Sequence, residues 1–143
     1  MLTKYRMTVG LVAVALGVGF VAGRGTGAVF AQGGERVFEI RTYTTENKTG
    51  LDALVKRMRE GEARVFDKVG MKGIAFFVAA EAPKSENTYV YILAHESLDR
   101  AKESWAKFRS DPDWERIRAT STPTGPIKVE SVFVSPLDFS PLK

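Results

Sequence analysis

The stretch Asn87–Trp114, NTYVYILAHESLDRAKESWAKFRSDPDW, decides how the rest of the chain is organised. Its first part alternates β-branched and aromatic residues with period two, which is typical of a strand. Ser97 then suits a helix N-cap, and apolar residues recur at helical spacing until Asp111-Pro112 interrupts them. The predicted elements are a strand over Thr88–His95 and a helix over about Leu98–Arg109.

The same two patterns continue on both sides of this stretch. They predict strands over Val37–Thr44, Met71–Ala80 and Ile127–Val134, a long amphipathic helix over Lys48–Val69 and a short helix over about Pro112–Ala119. Gly61 interrupts the long helix, so we expect a bend or a close contact there, and Gly70 suits its C-terminal end. The order β-α-β-β-α-β predicts an α+β, ferredoxin-like fold with a four-stranded antiparallel sheet and both long helices on one face.

Both faces of this predicted sheet carry large apolar or aromatic side chains, although the helices cover only one face. In the first strand, Phe38 and Ile40 share one face and Tyr43 lies on the other. An exposed apolar sheet face is prone to aggregation unless something covers it. A second copy of the same sheet is the simplest cover, so we expect a two-fold homodimer.

The composition excludes several classes of site and partner. The 143 residues are 44% apolar, which is enough for a hydrophobic core, and include no cysteine. Disulfides, thiolate nucleophiles and cysteine metal sites are therefore excluded. Lys4, Arg6 and Arg24 lie in the first 31 residues, which contain no acid, and without them 18 basic residues stand against 17 acidic ones. A domain that is nearly neutral does not predict binding to nucleic acid.

The first 31 residues have the three-part layout of a secretory signal peptide. Met1–Arg6 is basic, Met7–Gly23 is an apolar run without charge, and Val29–Ala31 offers a cleavage site before Gln32. The alternative is an uncleaved membrane anchor, although a spanning helix needs about 20 apolar residues. Both interpretations place the domain over 32–143 outside the cytoplasm, as a periplasmic, secreted or membrane-anchored protein.

Four stretches of this domain carry a resemblance to a known family. They are FEIRTYT at Phe38–Thr44, FDKVGMKGIAFF at Phe66–Phe77, YILAHESLDRAKESWAKFRSDPDW at Tyr91–Trp114 and PLDFSPL at Pro136–Leu142. In this order they resemble the NIPSNAP family of the dimeric α/β-barrel superfamily. The resemblance implies a ferredoxin-like fold and a dimer, but little about chemistry, because fold does not determine function. Eukaryotic relatives are linked to mitochondria and protein recruitment, a role that this short chain with a signal-like leader does not inherit.

Matching faces of the first and third strands together provide a candidate ligand pocket. Its residues would be Glu39, Arg41, Tyr43, Tyr89, Tyr91 and His95, with the small Gly73 and Ala75 leaving room between them. Aromatic walls with a few polar groups are usual in ligand sites. Arg41 could bind an anion, Tyr43 and Tyr91 could donate hydrogen bonds, and His95 could act as a catalytic acid or base.

Each of these residues also has a structural interpretation. A lone histidine at a strand end is commonly structural or faces solvent, and the tyrosines would then fill the core and the dimer interface. Arg41 would pair with Glu39, Glu130 or another acid. Trp105 and Trp114 are expected to pack.

The acids of the long helix have a plainer interpretation. Glu60 and Glu62 lie beside three arginines, which indicates a solvated charged face. No metal site is predicted, since one histidine and no cysteine give no ligand spacing. Related barrels include haem enzymes, so the resemblance allows a haem on His95, but we predict no cofactor.

Three functional hypotheses follow. The first is a homodimer that binds a small molecule or a partner through its barrel pocket. The second is a cofactor-free oxygenase or isomerase with His95 as the base, and the third is a structural or interaction protein with a filled barrel. A cavity containing His95 and Arg41 would favour the first two hypotheses, and a packed barrel with His95 in solvent would favour the third.

Overall fold

Strands and helices follow one another in the predicted order in the computed structural model, which describes residues 36–121, 123 and 125–143. The elements are β1 (Val37–Thr45), α1 (Lys48–Arg57), a π-helical turn (Met58–Glu62), α2 (Ala63–Lys68), β2 (Lys72–Val78), a 3₁₀ turn (Lys84–Glu86), β3 (Thr88–His95), α3 (Leu98–Arg109), α4 (Pro112–Thr120) and β4 (Ile127–Val134). The proposed leader lies outside the described residues. Among those residues, no helix has the length and apolar character needed to span a membrane.

The four strands form one antiparallel sheet in the order β2-β3-β1-β4. Arg41 at the middle of β1 lies opposite Tyr91 of β3 on one side and Ser131 of β4 on the other. Side chains of the helices pack on one face of this sheet, against Tyr89, Tyr91 and Leu93. The predicted α+β, ferredoxin-like architecture is therefore confirmed.

The helices begin and end where the sequence provides the groups that their backbones need. The Ser97 hydroxyl accepts a hydrogen bond from the Arg100 amide at 3.2 Å, and Asn47 does the same for Gly50 at 3.1 Å. These side chains satisfy amides that have no partner within the helix. Gly70, with a φ of 86°, follows α2 in the left-handed conformation that glycine adopts without strain.

A π-helical turn joins α1 to α2, so the long predicted helix contains one wider turn. Gly61 lies in this turn, and a Cβ atom built on it would be 2.5 Å from Ile117 Cδ1 of α4. The absence of a side chain at Gly61 therefore lets α4 approach the long helix, which confirms the predicted close contact.

The core between helices and sheet is largely aromatic. The ring centroids of Phe66 and Phe108 are 5.1 Å apart, and those of Phe66 and Tyr91 are 5.6 Å apart. Trp114 of α4 extends this cluster, at 4.6 Å from Phe108. Burial of such side chains contributes about 2–3 kcal/mol each, so this cluster is a main source of stability.

The other face of the sheet is apolar and only partly covered. Val132 and Phe77 on this face are 53% and 51% exposed. The C-terminal tail lies across one end of the face, where Phe38 is buried and a cavity of ≈ 370 Å³ separates the strands from Leu137 and Phe139. The predicted open apolar face is therefore present, although the chain's own tail covers one end of it.

One prediction about β2 is wrong. Gly73 and Ala75 were expected to share a face, but the register shifts between them, so that Gly73 lies opposite Leu93 and Ala75 opposite Ile92. A β-bulge inserts an extra residue and thereby reverses the alternation. The space next to Gly73 is filled, because a Cβ there would lie 2.6 Å from the Phe76 ring.

Candidate functional site

A buried carboxylate, that of Glu39, is the centre of the polar groups beneath the helices. Glu39 is 1% exposed. Four side chains donate to it: His95 Nε2 at 3.1 Å and Trp105 Nε1 at 2.7 Å to Oε2, and Arg41 Nη1 at 2.9 Å and Ser131 Oγ at 2.6 Å to Oε1. The donors come from β3, α3, β1 and β4, so one carboxylate connects three strands with a helix.

This arrangement keeps Glu39 ionised. Burial by itself raises the pKa of a carboxyl group, because the charged form loses its hydration. The hydrogen bonds from His95, Ser131, Arg41 and Trp105 act in the opposite direction and bring the pKa of Glu39 from 4.5 to about 2. The site therefore contains a fixed negative charge at neutral pH.

Arg41 extends the network toward two tyrosines. Its guanidinium lies over the Trp105 ring, 4.4 Å from the centroid, and its Nε and Nη2 donate to Tyr43 Oη at 3.3 and 3.2 Å. The Tyr43 and Tyr91 hydroxyls are in turn 3.1 Å apart. Burial lowers the pKa of Arg41, but these two tyrosines and Glu39 raise it above its ordinary value, so Arg41 is a permanent cation.

His95 is buried rather than solvent-facing, with 3% of its surface exposed. Because an ionised Glu39 can only accept, the Nε2 that faces it carries the proton. The other ring nitrogen, Nδ1, is buried and has no hydrogen-bond partner among the described residues. In a neutral imidazole this nitrogen carries the lone pair, and Phe133 is a ring neighbour of His95 at 5.8 Å.

The predicted site residues are therefore close together. Arg41, Tyr43, Tyr91 and His95 lie on the helix-covered face, and hydrogen bonds through Glu39 join them into one group, here called the Glu39 network, which includes Trp105 and Ser131. The arrangement differs from the expected open pocket, because the aromatic rings of the core pack against Tyr91, which is fully buried.

Two members of the Glu39 network were missed at the level of sequence. Trp105 was expected only to pack, and Ser131 was not singled out, yet both donate to Glu39. A signal existed for Trp105, since a buried indole N–H requires an acceptor and Glu39 faces the helices. Ser131 had no comparable signal, because its role depends on the register of β4 with β1.

A second buried ion pair corrects the prediction of a solvated charged helix face. Glu60 is exposed, but Glu62 is only 3% exposed and accepts from Arg57 Nε at 2.8 Å. The π-helical turn explains the difference, because its five-residue spacing brings residues 57 and 62 to the same side. Burial raises the pKa of Glu62, while Arg57 and then Arg41 oppose this shift.

The part of the chain that the structure describes contains no cluster of histidine and acidic side chains suited to a metal ion. The Glu39 network instead contains a fixed cation, whose donors are paired with Glu39 and Tyr43, and one ring nitrogen without a partner. These groups can orient a small polar substituent, and His95 Nδ1 can accept a proton from it.

Comparison with known families now identifies the group of proteins to which this domain is related. The NIPSNAP family model matches residues 38–141, which is most of the chain. The chain belongs to the NIPSNAP family. A search of curated proteins finds no match.

Solved structures agree with this membership. A NIPSNAP family protein of unknown function from Agrobacterium tumefaciens is 24% identical, with a TM-score of 0.64 over 76% of this chain and 95% of that chain. A second NIPSNAP family protein from the same organism is also 24% identical, with a TM-score of 0.63 over 76% of this chain and 100% of that one. A Streptomyces coelicolor monooxygenase in complex with nanaomycin D is 18% identical, with a TM-score of 0.51 over 71% of this chain and 87% of that one. These likenesses establish a fold that NIPSNAP proteins share with a monooxygenase.

Proposed function

We propose that this NIPSNAP protein is an exported homodimer that binds a small organic molecule beneath the helices, beside the Glu39 network. The observation that carries the proposal is the buried His95 Nδ1 without a partner, in a network whose other groups are all paired. Unsatisfied buried polar atoms are rare in folded proteins, and each one calls for an explanation, such as a catalytic role or a bound partner.

Stability alone does not explain the Glu39 network. A buried ion pair loses about as much hydration energy as it gains from attraction, so apolar side chains would serve a core equally well. Here Glu39 and Arg41 are joined by four further polar side chains on the same sheet face and by Trp105 of α3. Groups of this kind recognise a hydroxyl, carbonyl or carboxylate on a ligand, and Arg41 favours an anionic one.

The dimer is supported by the other face of the sheet. Val132 and Phe77 there are more than half exposed, next to the half-buried Ile40 and Ile92. An apolar strip of this kind is unusual on a monomer in water, and a second copy would remove it from solvent. Export rests on the signal-like composition of residues 1–31.

Native mass spectrometry of the full chain, purified gently from its own source, tests both parts. We expect a dimer with a defined small-molecule adduct that disappears in Arg41→Ala and in His95→Gln. Lys107→Ala, an exposed position on α3, is the control and should keep the adduct. A monomer would refute the dimer, and a dimer whose adduct survives both network variants would refute the binding role of the Glu39 network.

A second candidate function is a cofactor-free oxygenase or isomerase in which His95 is the base. The free Nδ1 lone pair favours it, because such a reaction begins with removal of a proton from the substrate. His95→Gln keeps a donor for Glu39 but removes the base. An enzyme would therefore show turnover or oxygen uptake with the adduct molecule in the wild type and lose it in this variant, whereas a binding protein would show no turnover in either form.

A further inference from the structure

A cavity at the β2 edge of the sheet is separate from the Glu39 network. It lies between the long helix and strands β2 and β3 and has a volume of ≈ 390 Å³. Its walls include Val55, Met58, Ala63, Phe76, Val78 and Tyr89. A volume of this size and an apolar lining are typical of small-molecule sites.

Tyr89 gives this cavity a buried polar group. Tyr89 is 4% exposed, and its hydroxyl has no hydrogen-bond partner among the described residues. Burial, followed by the nearby Glu62 and Tyr43, raises the pKa of Tyr89 above its ordinary value. The hydroxyl therefore keeps its proton and is available as a donor to an oxygen atom of a ligand.

Arg59 gives the same cavity a cation at its rim. This residue lines the cavity and is exposed, and it makes no ion pair within residues 36–121 or the described residues beyond them. The arginine two positions earlier, Arg57, is by contrast buried and paired with Glu62. One guanidinium is thus satisfied in the interior, and the other is available at the entrance.

The π-helical turn brings these features together. Met58 and Arg59 of the cavity wall belong to the turn, and Ala63 follows it directly. A turn of this kind widens the helix locally and occurs frequently at functional sites. Here it places a flexible methionine and a free cation over the cavity, next to the buried Tyr89.

We infer that this cavity binds a planar, largely apolar molecule of two or three rings. One oxygen of the molecule accepts a hydrogen bond from the Tyr89 hydroxyl, and an anionic substituent reaches Arg59. The inference rests on the proposed function in assuming that the domain binds a small molecule, and it adds the location of the binding site and the chemical class of the ligand. The aromatic walls supply the ring contacts, and the two polar groups fix the orientation.

Binding of 2-naphthoate to the full chain, measured by isothermal titration calorimetry, tests this inference. Loss of one hydrogen bond or one ion pair at such a site lowers affinity by about five- to tenfold. Tyr89→Phe should therefore weaken binding about fivefold or more, and Ala63→Phe, which fills the cavity, by at least about tenfold. Ala53→Phe is the matched control, because Ala53 lies on the same helix but does not line this cavity.

Arg59→Gln tests the anionic substituent separately. It should weaken 2-naphthoate about fivefold and leave the neutral 2-naphthol unchanged, because only the carboxylate interacts with the guanidinium. Equal losses for both probes would refute the role of Arg59. Circular dichroism of each variant verifies that the fold is intact.

Failure of this inference differs from failure of the proposed function. If Tyr89→Phe and Ala63→Phe bind 2-naphthoate as the wild type does, the cavity is not the site, and loss of binding in Arg41→Ala would then assign the probe to the Glu39 network. A wild-type protein that binds neither probe at millimolar concentration would overturn the ligand class. An affinity that falls as the protein dimerises would show that a second copy occupies the cavity and would also overturn it.

Discussion

The two faces of the sheet depart in opposite ways from the rule that apolar side chains are buried and charged side chains are exposed. The face beneath the helices holds a buried, ionised Glu39, a part-buried, charged Arg41 and a buried histidine with one unpaired nitrogen. The other face is largely open to water, yet it carries Val132 and Phe77. Polar groups are thus buried and apolar groups exposed, the reverse of what stability alone favours.

Each face is therefore incomplete in a chemically different way. The covered face lacks a hydrogen-bond partner, which a small molecule can supply. The open face lacks an apolar cover, which another protein surface can supply. The two proposals are therefore independent, and substitutions on one face can test each without disturbing the other.

The largest expected effect is on the covered face. Glu39→Ala should destabilise the fold by about 3–5 kcal/mol, since it removes the ion-pair partner of part-buried Arg41 and the acceptor of three other donors. Glu130→Ala on the open face, where the carboxylate is exposed and pairs with Lys128, should change stability by less than about 0.5 kcal/mol. Urea denaturation measures both, and equal losses would remove the distinction between the faces.

A substitution on the open face should instead change the dissociation constant of the proposed dimer. Val132→Asp places a charge where the second copy is proposed to pack, and should weaken the dimer at least about 100-fold, or about 2.7 kcal/mol. Analytical ultracentrifugation across a concentration series measures this change. Lys107→Asp on α3 is the charge-changing control and should leave the dimer intact. A dimer that is unaffected by Val132→Asp would place the interface elsewhere.

The contribution of Glu39 to stability should depend on pH, because its pKa in the folded state is below its unfolded value. The folded state therefore gains stability from Glu39 above about pH 4.5 and loses it as pH falls toward the folded pKa of about 2. About 2 kcal/mol of this contribution should be lost between pH 7 and pH 3. Buried Glu62, whose pKa is raised, contributes with the opposite sign.

The variant Glu39→Gln isolates the pH-dependent contribution of Glu39 to the free energy of unfolding. The variant lacks the titrating group, so the difference in unfolding free energy between it and the wild type should shrink by about 2 kcal/mol from pH 7 to pH 3. Parallel profiles for the two proteins would show that Glu39 is not held ionised in the fold.

The smallest expected effect is the difference in stability loss between substitutions of the two tryptophans. Trp105→Phe keeps an aromatic ring but removes one donor to Glu39, and should cost about 1.5 kcal/mol. Trp114→Phe keeps the contact with Phe108 and should cost less than about 1 kcal/mol, part of it from the cation–π contact with Arg57. Thermal unfolding of both variants measures the difference, which should disappear in a Glu39→Gln background.

The sequence was sufficient for the features that depend on local pattern. Period-two alternation predicted β3 and β4 with the bounds that the structure gives them, and Ser97 and Gly70 were identified as the end residues of their helices. Arg41, Tyr43, Tyr91 and His95 were also assigned to one face, because alternation fixes the face of each strand residue once the pairing is known.

The features that were missed depend on breaks in these periods. A bulge after Gly73 reversed the alternation of β2, and the π-helical turn shifted the helical phase, so that Glu62 came to lie in the interior. Neither irregularity has a distinct composition. The hydrogen bonds of Trp105 and Ser131 to Glu39 depend on contacts between distant elements, which no local period contains.

The π-helical turn over Met58–Glu62 also marks a point where the chain can change its length. Each residue of an α-helix rotates the chain by about 100°. A deletion elsewhere in the long helix would therefore rotate the part of the helix beyond the deletion and expose its apolar side chains to water. A deletion within the wide turn would instead restore regular α-helix, with α1 and α2 still facing the sheet. The same deletion would change the Arg57–Glu62 pair and the position of Arg59. Loss of a single codon would thus alter the entrance of the cavity in one evolutionary step.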